Sequence, residues 1–227
     1  MQADPATLAL LAAAWVLYFG LHSLLASTRV KALVMARLPC AAPAYRLGYN
    51  AIALAALLPL LWLQWRVSGN PLFLAPAALR IAFDLAALAA VATFVWTLRW
   101  YDMRAFAGLR AEGSKSIERA GAPDGARAGF TLSPLHRHVR HPWYFLALVI
   151  VWTRPMDAAW LVASTAITLY LFIGSRLEDD KLVDTFGETY RHYRERVPGL
   201  WPMPGHSLSA AEAKSLMRGR RSEQPTE

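Results

Sequence analysis

Four stretches of this chain, Thr7 to Ser27, Tyr45 to Leu63, Ile81 to Leu98 and Ala158 to Ile173, run almost without a charged side chain. Crossing the hydrocarbon of a bilayer takes roughly 20 such residues in a helix, and with their flanks three of the four reach that length. Hydrophobic residues make up 56% of the chain, above the roughly 45–50% of a soluble domain. The excess sits in these runs, so the chain is expected to be an integral membrane protein. Met1 to Pro5 carries Asp4 and no basic residue, and no small-x-small cleavage site follows. The first run is therefore expected to stay as a helix and not to be removed as a secretory leader.

The formal charge of +8 suggests nucleic acid only until the basic residues are placed. They lie in connectors between apolar runs, where membrane topology accounts for them. The first connector holds Arg29, Lys31, Arg37 and Arg46 without an acid, and the second only Arg66 and Arg80. By the positive-inside rule the first faces the cytoplasm. The long connector from Arg99 to His141 and the segment after Glu178 follow it there. The expectation is an all-α protein of a bacterial inner membrane, with an outside N-terminus and a cytoplasmic C-terminus. It has about five transmembrane helices, including a C-terminal hairpin followed by an amphipathic surface helix. Cys40 is the only cysteine, which excludes an intrachain disulfide and a thiolate zinc cluster.

Gly113, Gly121, Pro123, Gly125 and Gly129 mark Glu112 to Gly129 as a mobile loop and a candidate lid. After Gly187, Tyr190, Tyr193 and Val197 recur at helical spacing against Arg191, Arg194, Glu195 and Arg196, the pattern of a helix on a membrane surface that Pro198 stops. Residues 1–202 read as one membrane-embedded domain, with the hairpin region at 133–202, and 203–227 as a disordered cytoplasmic tail.

The hairpin concentrates the chemistry. Pro142 disfavours helical geometry at His141 and suits the first helical position, so a helix should start there. Its free amides, with Arg140 beside them, suit a carboxylate or phosphate. Pro142 to Thr153 gives about 18 Å of helix against roughly 30 Å of hydrocarbon, which recesses Pro142. A polar ligand from the cytosol would there meet a substrate arriving through lipid. The return helix begins near Asp157 and brings Glu178-Asp179-Asp180 back to the same side. An acid there suits an ammonium group or ribose hydroxyls, and Trp143 and Tyr144 offer aromatic faces to a cation. A plainer account is also open, in which Arg140 snorkels, Tyr144 belongs to an aromatic belt and the acids are solvated helix-end charges.

Arg140-His141-Pro142-Trp143-Tyr144, Glu178-Asp179 and Phe186-Gly187-Glu188-Thr189-Tyr190-Arg191-His192-Tyr193 with Val197-Pro198 agree in order and spacing with one family. Over Ser133 to Pro202 the chain resembles the integral-membrane methyltransferases related to isoprenylcysteine carboxyl methyltransferase. The resemblance implies S-adenosylmethionine as cofactor, with His141, Pro142, Tyr144, Glu178, Asp179, Tyr190 and Tyr193 as candidate contacts. Two positions depart from the pattern. Leu146 stands where the family usually has Gly, and Asp179 is one methylene shorter than the usual second Glu. His22-Ser23, Tyr45 to Asn50, Tyr101 to Arg110 and Trp152 to Met156 are similar to the methanethiol S-methyltransferase branch, which makes a small thiol or other compact lipophilic nucleophile the leading acceptor.

For a thiol acceptor, His141, Arg140 or Arg104 are the candidate catalytic residues, as base or as thiolate stabiliser. A prenylcysteine carboxylate would need no base, and a phospholipid amine is a further acceptor; both require a groove long enough for a chain. The rival from another class is a non-catalytic assembly or sensing protein on the same scaffold, favoured by Leu146 and Asp179. His136, His138 and His141 form an H-x-H-x-x-H cluster, but Pro142 interrupts any helix that would align them and no metal is expected. Arg80 and Asp84 are expected to pair at helical spacing. His22 is expected to be a hydrogen-bonded interfacial histidine.

Overall fold

The computed structural model describes residues 4–38, 44–101, 103–109 and 132–219. The proposed lid, Glu112 to Gly129, lies outside them, as do Cys40, Asp102 and Arg110. The described chain is helical, with no strand and a single isolated bridge between Met203 and His206. The all-α expectation is borne out.

Helix α1 (Pro5–Ala26) starts where Asp4 accepts from the backbone N–H groups of Ala6 and Thr7, satisfying two otherwise orphaned donors. Ser27 closes it and caps a second helix, α2 (Thr28–Arg37), by accepting from Val30 N–H; this helix lies in the first basic connector. Then come α3 (Tyr45–Val67), α4 (Ala77–Thr97) with a 3-10 turn at Leu98–Trp100, and the short α5 (Met103–Phe106). The hairpin is α6 (Pro142–Trp152) and α7 (Ala158–Phe186), followed by α8 (Glu188–Arg196) and α9 (Ala210–Gly219). By length and composition α1, α3, α4 and α7 suffice to cross a membrane, and α6 is apolar but shorter.

Helix α1 packs against α3 and α7, while α4 packs against α6. Leu11, Trp15, Leu60 and Val67 meet Ala159 and Ala163 in the main core. The two alanines let α7 approach closely, as small residues do between membrane helices. The Trp15 indole N–H donates to Gln64 Oε1 at 3.2 Å, which gives the buried indole its partner, while Gln64 Nε2 is buried without one among the described residues. Leu17, Leu54, Trp65 and Leu88 point outward and are exposed, a surface suited to lipid and unsuited to water.

The two ends of the bundle are fixed differently. At the hairpin tip Asp157 caps α7 by accepting from Trp160 N–H at 2.6 Å and also accepts from Gly69 N–H at 2.9 Å. Leu72 N–H donates to the Met156 carbonyl at 2.8 Å. The α3–α4 connector is thus stitched to the tip. Asp84 takes its partner from the same tip: Arg154 Nη2 reaches it at 3.2 Å. The local Arg80–Asp84 pair gives way to one across 70 residues, because the tip returns beside α4.

The opposite end carries α8 and α9. The expected disordered tail is corrected here over its described part, since α9 is a helix and its Ala213, with Leu208 just before the helix, packs with Tyr190, Tyr193 and Val197. Ser209 and Glu212 exchange the reciprocal bonds of a capping box. Arg196 reaches Glu212 at 3.0 Å, and Leu208 N–H donates to the Arg137 carbonyl at 2.9 Å. A mostly polar composition hid the few apolar residues that fall on one face.

Candidate functional site

The hairpin opens as its proline requires. His141 is the residue before α6 and Pro142 its first helical position. Just upstream, Arg140 N–H donates to the Pro198 carbonyl at 2.8 Å and His141 N–H to that of Gly199 at 3.1 Å. The strand-like approach to α6 therefore lies against the exit from α8. A side chain at position 199 would crowd Arg140, since a Cβ there would sit 3.3 Å from Nη2.

Asp179, on α7, is the hub. It accepts from Arg140 Nε at 3.2 Å and Nη2 at 2.6 Å, from His141 Nε2 at 2.9 Å and from the Tyr190 hydroxyl at 2.5 Å. Arg140 Nη1 also donates to the carbonyls of Arg194, at 3.0 Å, and Val197. The guanidinium is planar and pre-organised for such a fork, and here it clamps α7 to the end of α8. The shorter acid at position 179 fits this hub without an orphaned partner.

Glu178 occupies the next position and a different setting. The Tyr144 hydroxyl donates to its Oε2 at 3.1 Å, and His141 Nδ1 lies 3.4 Å from the same oxygen. Its side chain keeps 31% of its exposure, against 7% for Asp179, so of the two acids it is the one a ligand can reach. The His141 ring lies parallel to that of Tyr144, 5.4 Å between centroids and 12° apart.

Burial alone would lower the pKa of His141, but hydrogen bonds to Asp179 and Glu178 and the charges of both raise it to about 9. It is an imidazolium at neutral pH. His136 goes the other way, to about 4, through burial and then the nearby His141 charge. Its Nδ1 accepts from Ser133 N–H at 3.2 Å, and its carbonyl accepts from the Tyr193 hydroxyl at 2.7 Å. His138 is exposed. The three histidines of the H-x-H-x-x-H stretch thus have separate surroundings.

Other expected site residues divide. Tyr190 and Tyr193 are 2% and 1% exposed; they hold the network from behind. Trp143 turns away from the acids, donating its indole N–H to Thr97 Oγ1 at 2.9 Å and packing on Phe94, Tyr101 and Phe106. Of the two expected aromatic faces, Tyr144 alone lies beside Glu178. Leu146 is buried within the hairpin. Arg104 sits exposed on α5, whose Phe106 touches Trp143. Sequence reasoning gave Tyr101 only as the start of the Tyr101 to Arg110 stretch and assigned it no role; its phenol is pushed up to about 12 by burial and then by the Glu178 charge.

No family model and no solved structure matches the chain. Curated proteins do. Methanethiol S-methyltransferase 1 of Bradyrhizobium diazoefficiens is 30% identical over 167 residues, covering 70% of this chain and 55% of that protein. The methanethiol S-methyltransferase of Pseudomonas deceptionensis is 42% identical over 69 residues, 30% of this chain and 26% of its own length. That of Crocosphaera subtropica is 36% identical over 77 residues, 34% and 30% respectively. The chain spans about half the length of the first and under a third of the other two. It is a homologue of these proteins, and the resemblance to that branch read from its motifs is borne out.

Proposed function

We propose, from homology to the methanethiol S-methyltransferases, that this chain is a membrane methyltransferase that transfers a methyl group from S-adenosylmethionine to a small thiol. The observation that carries the reading is the contrast between the two acids. Asp179 is consumed by Arg140, His141 and Tyr190, whereas Glu178 remains reachable beside Tyr144 at the start of α6. A carboxylate next to an aromatic face suits a cationic donor. The amides of the first turn of α6 suit the carboxylate that donor also carries. The residues present fit the group.

The donor, when bound, supplies a methyl carbon made electrophilic by its sulfonium. What the chain's residues do is hold and exclude. Arg140 and Asp179 fix His141, and His141 with Tyr144 fixes Glu178. Leu146 and Leu148 on the same helix as Tyr144 are buried, 6% and 1% exposed, so α6 is held in apolar surroundings. Positioning in a dry site accounts for several kcal/mol of a bimolecular displacement. In this reading Tyr190 and Tyr193 support the site, and Arg104 with the connector around it borders the acceptor. The donor enters from the cytoplasm, with the N-terminus outside and the C-terminus inside.

The test is calorimetric binding of S-adenosylmethionine to the detergent-purified protein and to the protein in lipid nanodiscs. Glu178→Ala should weaken binding at least about tenfold, the loss of one charged contact. Methanethiol should then be converted to dimethyl sulfide by the wild type. Absence of donor binding in both settings, or unchanged affinity in Glu178→Ala, overturns the assignment.

A further inference from the structure

Methyl transfer to a thiol releases a proton, and the residues around Glu178 are poorly placed to take it. Both ring nitrogens of His141 face carboxylates, at 2.9 Å and 3.4 Å, and the ring is already protonated at neutral pH. Arg140 is permanently charged and already donates to Asp179, Arg194 and Val197. An unperturbed thiol with a pKa near about 8.5 is mostly un-ionised at neutral pH, and burial among apolar groups raises that pKa further.

A second polar cluster lies where α1, α3 and α7 meet. The Tyr49 hydroxyl is 2.8 Å from His22 Nε2, with ring centroids 5.3 Å apart. The His22 ring meets Tyr170 edge-on at 6.1 Å and Tyr18 at the same distance. Phe19 stacks on Tyr170 at 4.1 Å. The Tyr45 hydroxyl donates to the Leu25 carbonyl at 2.7 Å, holding the start of α3 against the end of α1. This cluster is joined to the donor side through its neighbours: Asn50, next to Tyr49, donates to the carbonyls of Phe106 and Ala107 at 3.3 Å and 3.2 Å, Phe106 packs on Trp143 beside Tyr144, and Tyr170 shares α7 with Glu178. The titratable groups around His22 are Tyr18, Tyr49 and Tyr170, with Arg46 beyond Tyr49. Unlike His141, this histidine has a phenol and not a carboxylate as its partner.

We propose that Tyr49 and His22 form the proton-accepting pair for the acceptor, a role that rests on the thiol reading above. The thiol proton passes to the Tyr49 oxygen while the Tyr49 proton moves to Nε2 of His22, leaving a thiolate and an imidazolium. The thiolate lone pair forms the new bond from sulfur to carbon. The electrons of the broken bond return to the leaving sulfur, which loses its positive charge. His22 then gives its proton to solvent.

The experiment compares two acceptors at neutral pH: an alkanethiol, mostly un-ionised, and an aromatic thiol acidic enough to be ionised already. His22→Gln and Tyr49→Phe should each slow alkanethiol methylation about a hundredfold, the ordinary size of a general-base effect, and leave the ionised thiol within about twofold. Donor affinity, measured by calorimetry, should be unchanged in both. Equal losses with the two thiols would mean the pair shapes the site without taking the proton, and no loss with either would remove it from the reaction; both results overturn the proposal. Should His22→Gln fail to fold, Tyr49→Phe decides, since it removes one hydroxyl. A wild type that binds donor but methylates neither thiol defeats the thiol reading and this pair's role with it, whereas methylation by wild type and variants alike defeats the pair's role alone.

Discussion

Nε2 of His141 and Oδ1 of Asp179 meet at 2.9 Å across a sequence separation of 38 residues, joining the residue before α6 to the interior of α7. Both side chains are nearly buried, at 5% and 7% exposure. Asp179→Asn would leave Arg140 and His141 facing a neutral amide, and removing one partner of a buried charge network costs about 3–5 kcal/mol. The expected result is a lower unfolding midpoint in detergent, with α8 losing amide-exchange protection first. A midpoint unchanged from wild type would show that Glu178 alone neutralises both cations.

The same contact makes stability depend on pH in a defined direction. His141 is raised in the folded state to about 9 from its ordinary 6.5, so the folded protein binds this proton more tightly than the unfolded chain. Its contribution is complete below about 6.5 and is lost as pH climbs through about 9. The thermal unfolding midpoint should therefore fall as pH rises between these values, and His141→Gln should flatten that part of the profile. A wild-type profile already flat across the interval would contradict the pairing.

Gly108 and Gly187 both have positive φ, +80° and +57°, yet only Gly108 is crowded. A Cβ at position 108 would sit 2.5 Å from Leu47 N on α3. At Gly187 nothing lies within 4 Å. Gly187→Ala should cost about 1–3 kcal/mol for the backbone alone, and Gly108→Ala more, because the connector must also lift off α3. Asn50, whose amide donates to the carbonyls of Phe106 and Ala107 at 3.3 Å and 3.2 Å, would lose its hold as well. Comparing the two unfolding midpoints checks the order.

Removing the segment after Met203 is expected to matter. Leu208 is 3% exposed against Tyr190, Tyr193 and Val197, and Leu208→Ala should cost about 2–5 kcal/mol. Truncation after Met203 should deprotect α8 in hydrogen exchange and loosen Tyr190 from Asp179. Exchange rates in α8 that match the full chain would show that α9 is dispensable.

Much of this arrangement was legible because it is local. Pro142 announces the start of α6 by its own geometry, and Asp157 and Gly187 bracket α7. The spacing of Tyr190, Tyr193 and Val197 against arginines marked α8 correctly. What escaped was set by pairing across the chain. Nothing near Asp84 points to Arg154, and local spacing favoured Arg80. Arg140 looked like an anion ligand because its carboxylate partner lies 39 residues away. Trp143 stood beside Tyr144 in sequence, but successive helical residues face different sides, and its indole joins α4. The α9 helix did leave a local trace, Ser209-Ala210-Ala211-Glu212, which the polar composition around it obscured.

The 11 residues of α6 give about 16 Å of helix, roughly half the hydrocarbon depth. For the reaction proposed, this bears on the order of events in turnover. A small dialkyl sulfide partitions into lipid, while the spent donor is a polar nucleoside that leaves to water. With the reacting atoms lying between the two phases, neither product has to pass the other. Product inhibition by the demethylated donor should accordingly be competitive with S-adenosylmethionine, and added sulfide should leave donor affinity unchanged. An enzyme with a single aqueous mouth would impose a fixed sequence of departures.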